Sequence, residues 1–232
     1  SLNESTYFFR LFKYSVQLPK TTRTLPDFSI ETDIANGSKL LIAGVDEVGR
    51  GTLAGPVIAT AAILPGPVPQ EHRLIINDSK VLSVSQRERA FAWLIDWCVS
   101  YGVGASTAAE IDSVGIVPAT KLAMSRAIAS LEPQPDHLII DAVDLDQISI
   151  PQTSIIKADT RSQSVAAASI IAKVTRDRLM AEVFDSEFPG YGFSAHKGYG
   201  TAIHMSALKK LGASPIHRRS FKPVKDVLVV NE

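Results

Sequence analysis

Ala43-Gly44-Val45-Asp46-Glu47-Val48-Gly49-Arg50-Gly51 is the stretch on which the reading of this chain turns. An apolar run with the length and β-branched character of a buried strand delivers two adjacent acids, then breaks into a glycine-flanked arginine. The strand is expected over Leu40 to Val45, with Asp46 and Glu47 at its C-terminal end. Burial favours the uncharged form of a carboxylate unless a metal or a basic group restores the anion, so a divalent cation is the expected companion of this pair. Gly49 and Gly51 carry no side chain, which lets the backbone beside Arg50 approach a ligand closely. Two solvated acids followed by a glycine turn would look the same in isolation; the rest of the chain separates the two readings.

Downstream, strands and helices alternate. A strand from Pro56 to Leu64 closes at Pro65-Gly66-Pro67, and Asn77-Asp78-Ser79-Lys80 leads to Ser83, a fair N-cap for a helix from Val84 to Cys98 with Phe91, Leu94 and Ile95 inward. Val99 to Ser106 suits a third strand, followed by short helices over Ala108 to Val114 and Val117 to Leu131, with Pro118 near a helix start. His137 to Asp141 is a fourth strand and Thr153 to Lys157 a fifth. Ser162 to Phe184 reads as one long helix, and a last helix from Ala202 to Leu211 leads to a basic tail. This order predicts an α/β sheet covered on both faces. Residues 1–39 show no sustained period and are expected to be a partly ordered extension with a short helix from Glu4 to Tyr14, ahead of one domain over residues 40–232.

Composition narrows the class. Cys98 is the single cysteine, so no intrachain disulfide exists. Leu53 to Leu64, the longest apolar stretch, is too short to span a bilayer, and the N-terminus lacks the order of a signal peptide; a cytoplasmic protein is expected. Net charge is zero, but from Thr160 onward 11 Lys and Arg face 6 Asp and Glu, against 13 and 18 before it. An acidic half able to hold metal is joined to a basic half able to hold phosphate.

Asp46-Glu47, Asp141 and Asp159 all fall at or just after expected strand ends, where ligands collect in open α/β sheets. Hard oxygen donors select Mg²⁺ or Mn²⁺, and two such ions about 4 Å apart can clamp the attacking and leaving oxygens of a phosphodiester. Asp177 competes with Asp159 for the fourth place; with Lys173 four residues earlier it can equally form a helix-face ion pair, and spacing does not choose.

Asp46-Glu47-Val48-Gly49-Arg50-Gly51 followed by Leu53-Ala54-Gly55-Pro56-Val57 resembles the signature of type 2 ribonuclease H, the bacterial ribonuclease HII. The resemblance runs from about Leu40 to Pro223 through Asp78-Ser79-Lys80, Lys157-Ala158-Asp159, Val165 to Val174, Phe188 to Phe193, Ala195 to Thr201 and Pro215 to Phe221. It implies a ribonuclease H-like mixed five-stranded sheet with helices on both faces and a helical C-terminal part. It also implies Asp46, Glu47, Asp141 and Asp159 as catalytic metal ligands for two Mg²⁺ or Mn²⁺ ions. Gly49, Arg50, Gly51, Lys80, Ser169, Lys173 and Tyr199 are the implied substrate contacts, with Lys80 on a phosphate, Asp78 holding its loop and Tyr199 at the nucleotide after the ribonucleotide. Pro215 to Phe221 would add phosphate contacts. The family often has glycine after the third acid where this chain has Ala142, a departure that bears on loop geometry.

The implied reaction is hydrolysis of the RNA strand of RNA/DNA hybrids and cutting 5′ of single ribonucleotides in duplex DNA, leaving 3′-hydroxyl and 5′-phosphate ends. A monomer is expected, and a sliding-clamp contact is left open. Two other classes compete: a metal-dependent hydrolase of small phosphate esters, and a non-catalytic hybrid-binding module. The second has no use for four converging anions beside a polyanion.

Overall fold

A computed structural model describes residues 25–230, so the expected helix from Glu4 to Tyr14 lies outside the described residues. Strand β1 (Ile42–Val48) pairs antiparallel with β2 (Val57–Ile63), which in turn pairs antiparallel with β3 (Ser100–Ser106). On its other side β1 pairs parallel with β4 (His137–Asp141), and β4 with β5 (Gln152–Ile155), giving the order β3-β2-β1-β4-β5. Every residue of β2 is buried, as expected of a strand covered on both faces. The sheet is the mixed five-stranded one implied by the sequence.

One face is covered by α5 (Gln163–Arg178) with α2 (Val84–Trp97) outside it; α3 (Ala108–Val114) and α4 (Ile116–Ala129) cover the other. Small residues set these distances. A Cβ on Gly44 would fall inside the backbone of Ser164 and Val165, so α5 starts in contact with the centre of β1, and Ala166, Ala167, Ala168 and Ala172 keep the helix close.

β1, the long helix and the C-terminal tail depart from the sequence reading. β1 runs on to Val48 because β2 continues to pair with it, Asp46 with Thr60 and Glu47 with Ala59; the two acids therefore lie within the strand. The parallel ladder to β4 stops at Val45 with Ile140, and one step beyond stand Asp46 and Asp141 at the open end of the sheet. The expected single helix from Ser162 to Phe184 leaves α-geometry at Arg178 and makes a wide π-type turn over Leu179–Phe184, which buries Met180 against Ala54, Tyr191 and Phe193. The expected basic tail contains a further helix, Lys222–Val230, whose Val224 and Val227 pack on Leu53 and Leu208.

Residues 25–39 are integral to this packing. Helix α1 (Ser29–Ala35) lays Ile30 and Ile34 against Ile42 and Ile139 and buries Glu31 to 1% exposure. Glu31 Oε1 accepts from Ser162 Oγ at 2.6 Å, Ser164 N at 3.0 Å and Ser164 Oγ at 2.6 Å. A carboxylate thus meets the first turn of α5, where free N–H groups and the helix dipole favour negative charge. Glu31→Ala would leave these three buried donors without their acceptor and is expected to lower unfolding free energy by about 2 kcal/mol, read as a lower urea midpoint. Glu31→Gln, which keeps the oxygen, should retain most of it.

Candidate active site at the open end of the sheet

Asp46 is 4% exposed, and its Oδ1 accepts the Glu47 N–H at 2.8 Å. Its carboxyl is held well above the usual range, first by burial and then by the charges of Glu47 and Asp141, with the neighbouring Ser169 hydroxyl acting in the opposite direction. Ser169 Oγ in turn lies 3.0 Å from Ser79 Oγ, linking α5, the Asp78-Ser79-Lys80 loop and the first acid. Burial also raises Glu47, opposed by Arg50, whose Nη1 donates to Oε1 at 3.2 Å. Glu47 Oε2 is buried and has no hydrogen-bond partner among the described residues.

Asp141 ends β4, and its Oδ1 accepts the Ala158 N–H at 3.0 Å. That bond draws in the turn Ala158–Thr160, where Asp159 is 4% exposed. Burial raises Asp159, the nearby Lys80 opposes this, and the charges of Asp78 and Asp141 add to it. Lys80 Nζ lies 3.4 Å from Asp159 Oδ2; burial pulls this ammonium down, but Asp159, Asp78 and Asp46 together hold it above its ordinary value. The four acids thus share one electrostatic field. Asp177 forms the helix-face ion pair with Lys173, Nζ to Oδ1 at 2.7 Å.

The donor set suits a hard divalent cation: four carboxylates, and in Glu47 Oε2 a buried acceptor that a cation would satisfy. Among the described residues no three His, Cys, Asp or Glu side chains stand close enough together, as placed here, to hold a metal ion, and Arg50 and Lys80 each hold one of the acids. Asp141 and Asp159 are flanked by strained turns. Ala142 has φ +53° and Lys157 φ +57°, and the Ala142 N–H donates to Ile155 O at 3.1 Å. The departure from glycine therefore falls on a backbone conformation that glycine would adopt freely.

Gly49 also has positive φ, +93°, and the space its Cβ would need is filled by the guanidinium of Arg176. Gly51 has nothing within 4 Å of a Cβ position. Arg176 and Arg218 are both fully buried, and the sequence reading singled out neither as a site residue. Within the basic ending, Arg218 and His217 face inward, which corrects the expectation of phosphate contacts there for these two side chains; Arg219 is exposed. Burial pulls Arg176 down to about 10, and burial with the charge of Arg176 pulls Arg218 down to about 9. A signal for Arg176 existed: with Ser169 and Lys173 it makes an i, i+4, i+7 face of α5.

Tyr199 is 42% exposed, with Lys173 Nζ 5.9 Å from its ring centroid. Its loop rests on imidazoles. His204 Nδ1 donates to Tyr199 O at 2.9 Å, so Nε2 is free to accept from His217 Nε2 at 3.0 Å, and His217 Nδ1 accepts from Ser214 N at 3.0 Å. His196 Nδ1 accepts the Gly198 N–H at 3.1 Å. A proton added to His204 or His217 would set donor against donor.

A model of the family described as ribonuclease HII matches residues 43–224. A ribonuclease HII of Chloroflexus aurantiacus is 51% identical over 207 residues, covering 88% of this chain and 97% of that protein. The fold is similar to the crystal structure of ribonuclease H2 from Pyrococcus horikoshii, with a TM-score of 0.66 and 30% identity over 80% of this chain and 96% of that one. It is also similar to a chain of the PCNA:RNase HII complex from Archaeoglobus fulgidus, with a TM-score of 0.67 and 26% identity over 79% of this chain and 96% of that one.

Two outcomes are expected from this geometry. Burial, with His204 beside it, holds His217 down at about 4, so the stability it contributes is present above its unfolded value near 6.5 and is lost as pH falls toward 4. Urea unfolding between pH 7 and pH 4 should show wild type losing on the order of 2 kcal/mol more than His217→Gln. Ala142→Gly relieves the left-handed strain against a cost in chain entropy, and should raise stability by roughly 0.5–1 kcal/mol without loss of activity, seen in the thermal midpoint.

Proposed function

The chain belongs to the ribonuclease HII family and is a metal-dependent endoribonuclease of the ribonuclease H type acting on RNA/DNA hybrids, and from this premise we propose that it cuts 5′ of single ribonucleotides embedded in duplex DNA. Its products are then 3′-hydroxyl and 5′-phosphate ends, and its role is the excision of ribonucleotides from DNA. One observation carries the reading: the buried, unpartnered Glu47 Oε2 stands in a field of four acids two residues before the open backbone of Gly49-Arg50-Gly51. Asp46, Glu47, Asp141 and Asp159 would hold two Mg²⁺ or Mn²⁺ ions, which when bound supply activation of water and stabilisation of the leaving 3′-oxygen.

The chain's own groups account for the rest. Ser169 orients Asp46, and the Ala158 N–H orients Asp141. Lys80, with 75% of its side chain exposed, offers its ammonium to a phosphate beside Asp159. Gly49, Arg50 and Gly51 read the 2′-hydroxyl, the group that distinguishes RNA from DNA at one site. A site built to bond a hydroxyl rejects analogues lacking it by as much as ~10⁴. The exposed face of Tyr199, with Lys173 beside it, is a stacking platform for the next sugar or base. A sliding-clamp contact comes to this chain only by likeness to the A. fulgidus relative.

The test is cleavage of a labelled DNA duplex carrying one ribonucleotide, beside an all-DNA duplex and a long hybrid. Mg²⁺-dependent cutting 5′ of the ribonucleotide is expected, with none in the all-DNA control and a loss of at least ~100-fold in Asp141→Asn. Gly51→Trp should fold, since nothing crowds that position, yet lose cleavage. Cutting of the long hybrid with silence on the single ribonucleotide would keep the nuclease and discard ribonucleotide recognition by Gly49 to Gly51 and Tyr199.

A further inference from the structure

The loop after the two acids is held from behind by a single fork. Arg218 Nη2 donates to Gly49 O at 2.7 Å and Nη1 to Arg50 O at 2.8 Å, while Nε and Nη2 donate to Gly55 O at 3.1 and 2.9 Å. Gly49 O and Arg50 O belong to consecutive peptide groups, whose N–H members are those of Arg50 and Gly51. A trans peptide sets its C=O and N–H on opposite sides. A fork that draws both oxygens inward therefore turns both N–H groups outward. Neither N–H finds an acceptor among the described residues.

Arg176 holds the far side of the same loop. It donates to Thr52 Oγ1 at 2.8 Å, Ala54 O at 3.0 Å, Pro56 O at 2.9 Å and Lys197 O at 2.9 Å, which ties the loop to the turn that carries Tyr199. Backbone pairing repeats the tie: Leu53 N donates to Gly198 O at 2.8 Å and Arg218 N to Leu53 O at 2.9 Å. These guanidinium hydrogen bonds go to carbonyl oxygens and one hydroxyl. A guanidinium on a peptide oxygen polarises that peptide and strengthens the N–H at its other end as a donor.

We propose that Arg218, braced by Arg176, is the positioning residue for ribose recognition, presenting the N–H groups of Arg50 and Gly51 as a paired donor to the 2′-oxygen and an adjoining phosphate oxygen of the ribonucleotide. This rests on the ribonucleotide reading above. Lysine at 218 keeps the charge and loses the fork, so it releases one or both peptide oxygens.

The experiment compares affinity for a duplex with one ribonucleotide and for the same all-DNA duplex, by fluorescence anisotropy in Asp141→Asn protein with and without Arg218→Lys. The parent should prefer the ribonucleotide duplex by roughly tenfold or more. The Arg218→Lys protein, shown folded by a cooperative thermal transition, should lose that preference while its all-DNA affinity stays the same, an outcome that a general loosening of structure would not produce. A preference kept in the folded Arg218→Lys protein overturns the role. A parent without preference overturns the ribonucleotide reading, and this role with it. Should Arg218→Lys fail to fold, ¹⁵N amide spectra of the Asp141→Asn protein decide: the Arg50 and Gly51 N–H signals should move downfield with the ribonucleotide duplex and not with all-DNA, and signals unmoved by either overturn the role.

Discussion

Everything at this end of the molecule depends on burying charge of both signs without pairing one against the other. Asp46, Asp159 and most of Glu47 are shielded from water, and Arg176 and Arg218 are buried against the Gly49–Pro56 segment that follows the first two acids. Direct ion pairs between the two sets would neutralise the acids and close the site. Instead the guanidinium groups spend their donors on peptide oxygens of that segment. A buried charge needs its donors satisfied, and carbonyl dipoles do this without removing the anions from use. The acids remain mutually repelling and available to a cation.

One helix distributes this arrangement. Ser169, Lys173 and Arg176 recur at the helical period along α5, and each reaches a different part of the site: Asp46, Tyr199 with Asp177, and the glycine loop. The remaining faces of α5 are alanine, valine and isoleucine, which share apolar clusters with the sheet and with α2. Since Gly44 lets the helix start directly on β1, its axial position is set by backbone contact and by the Glu31 carboxylate at its first turn. An axial slip of one residue would move all three polar contacts together, by about 1.5 Å.

Much of this is legible in the sequence. The apolar runs of β1, β2 and β4 and the acid that ends β4 follow from local pattern, and the helix over residues 222–230 was there to be read in the spacing of Val224 and Val227. What was not legible depended on partners. β1 extends to Val48 only because β2 is long enough to pair with it, a fact about the neighbour. Arg218 sits in a basic cluster, and composition assigns such residues to solvent or phosphate; only the fold shows that 53–55 and 216–218 run side by side, with Ala54 bridging His217, so that the arginine lies beneath a loop that precedes it by more than 160 residues. His217 is hidden for the same reason.

The two left-handed residues show why acids distant in sequence hold a fixed relation. Ala142 follows Asp141 directly, and Lys157 comes two residues before Asp159. Each non-glycine in this region stores on the order of 1–2 kcal/mol, so something must hold both in place. The restraints are reciprocal: the Ala142 N–H is bonded to Ile155 at the end of β5, and the Ala158 N–H is bonded to the Asp141 carboxylate at the end of β4. Neither turn can relax without releasing the other's hydrogen bond. The strain of each turn is thereby held by the other, and Asp141 and Asp159 are positioned by one shared structure.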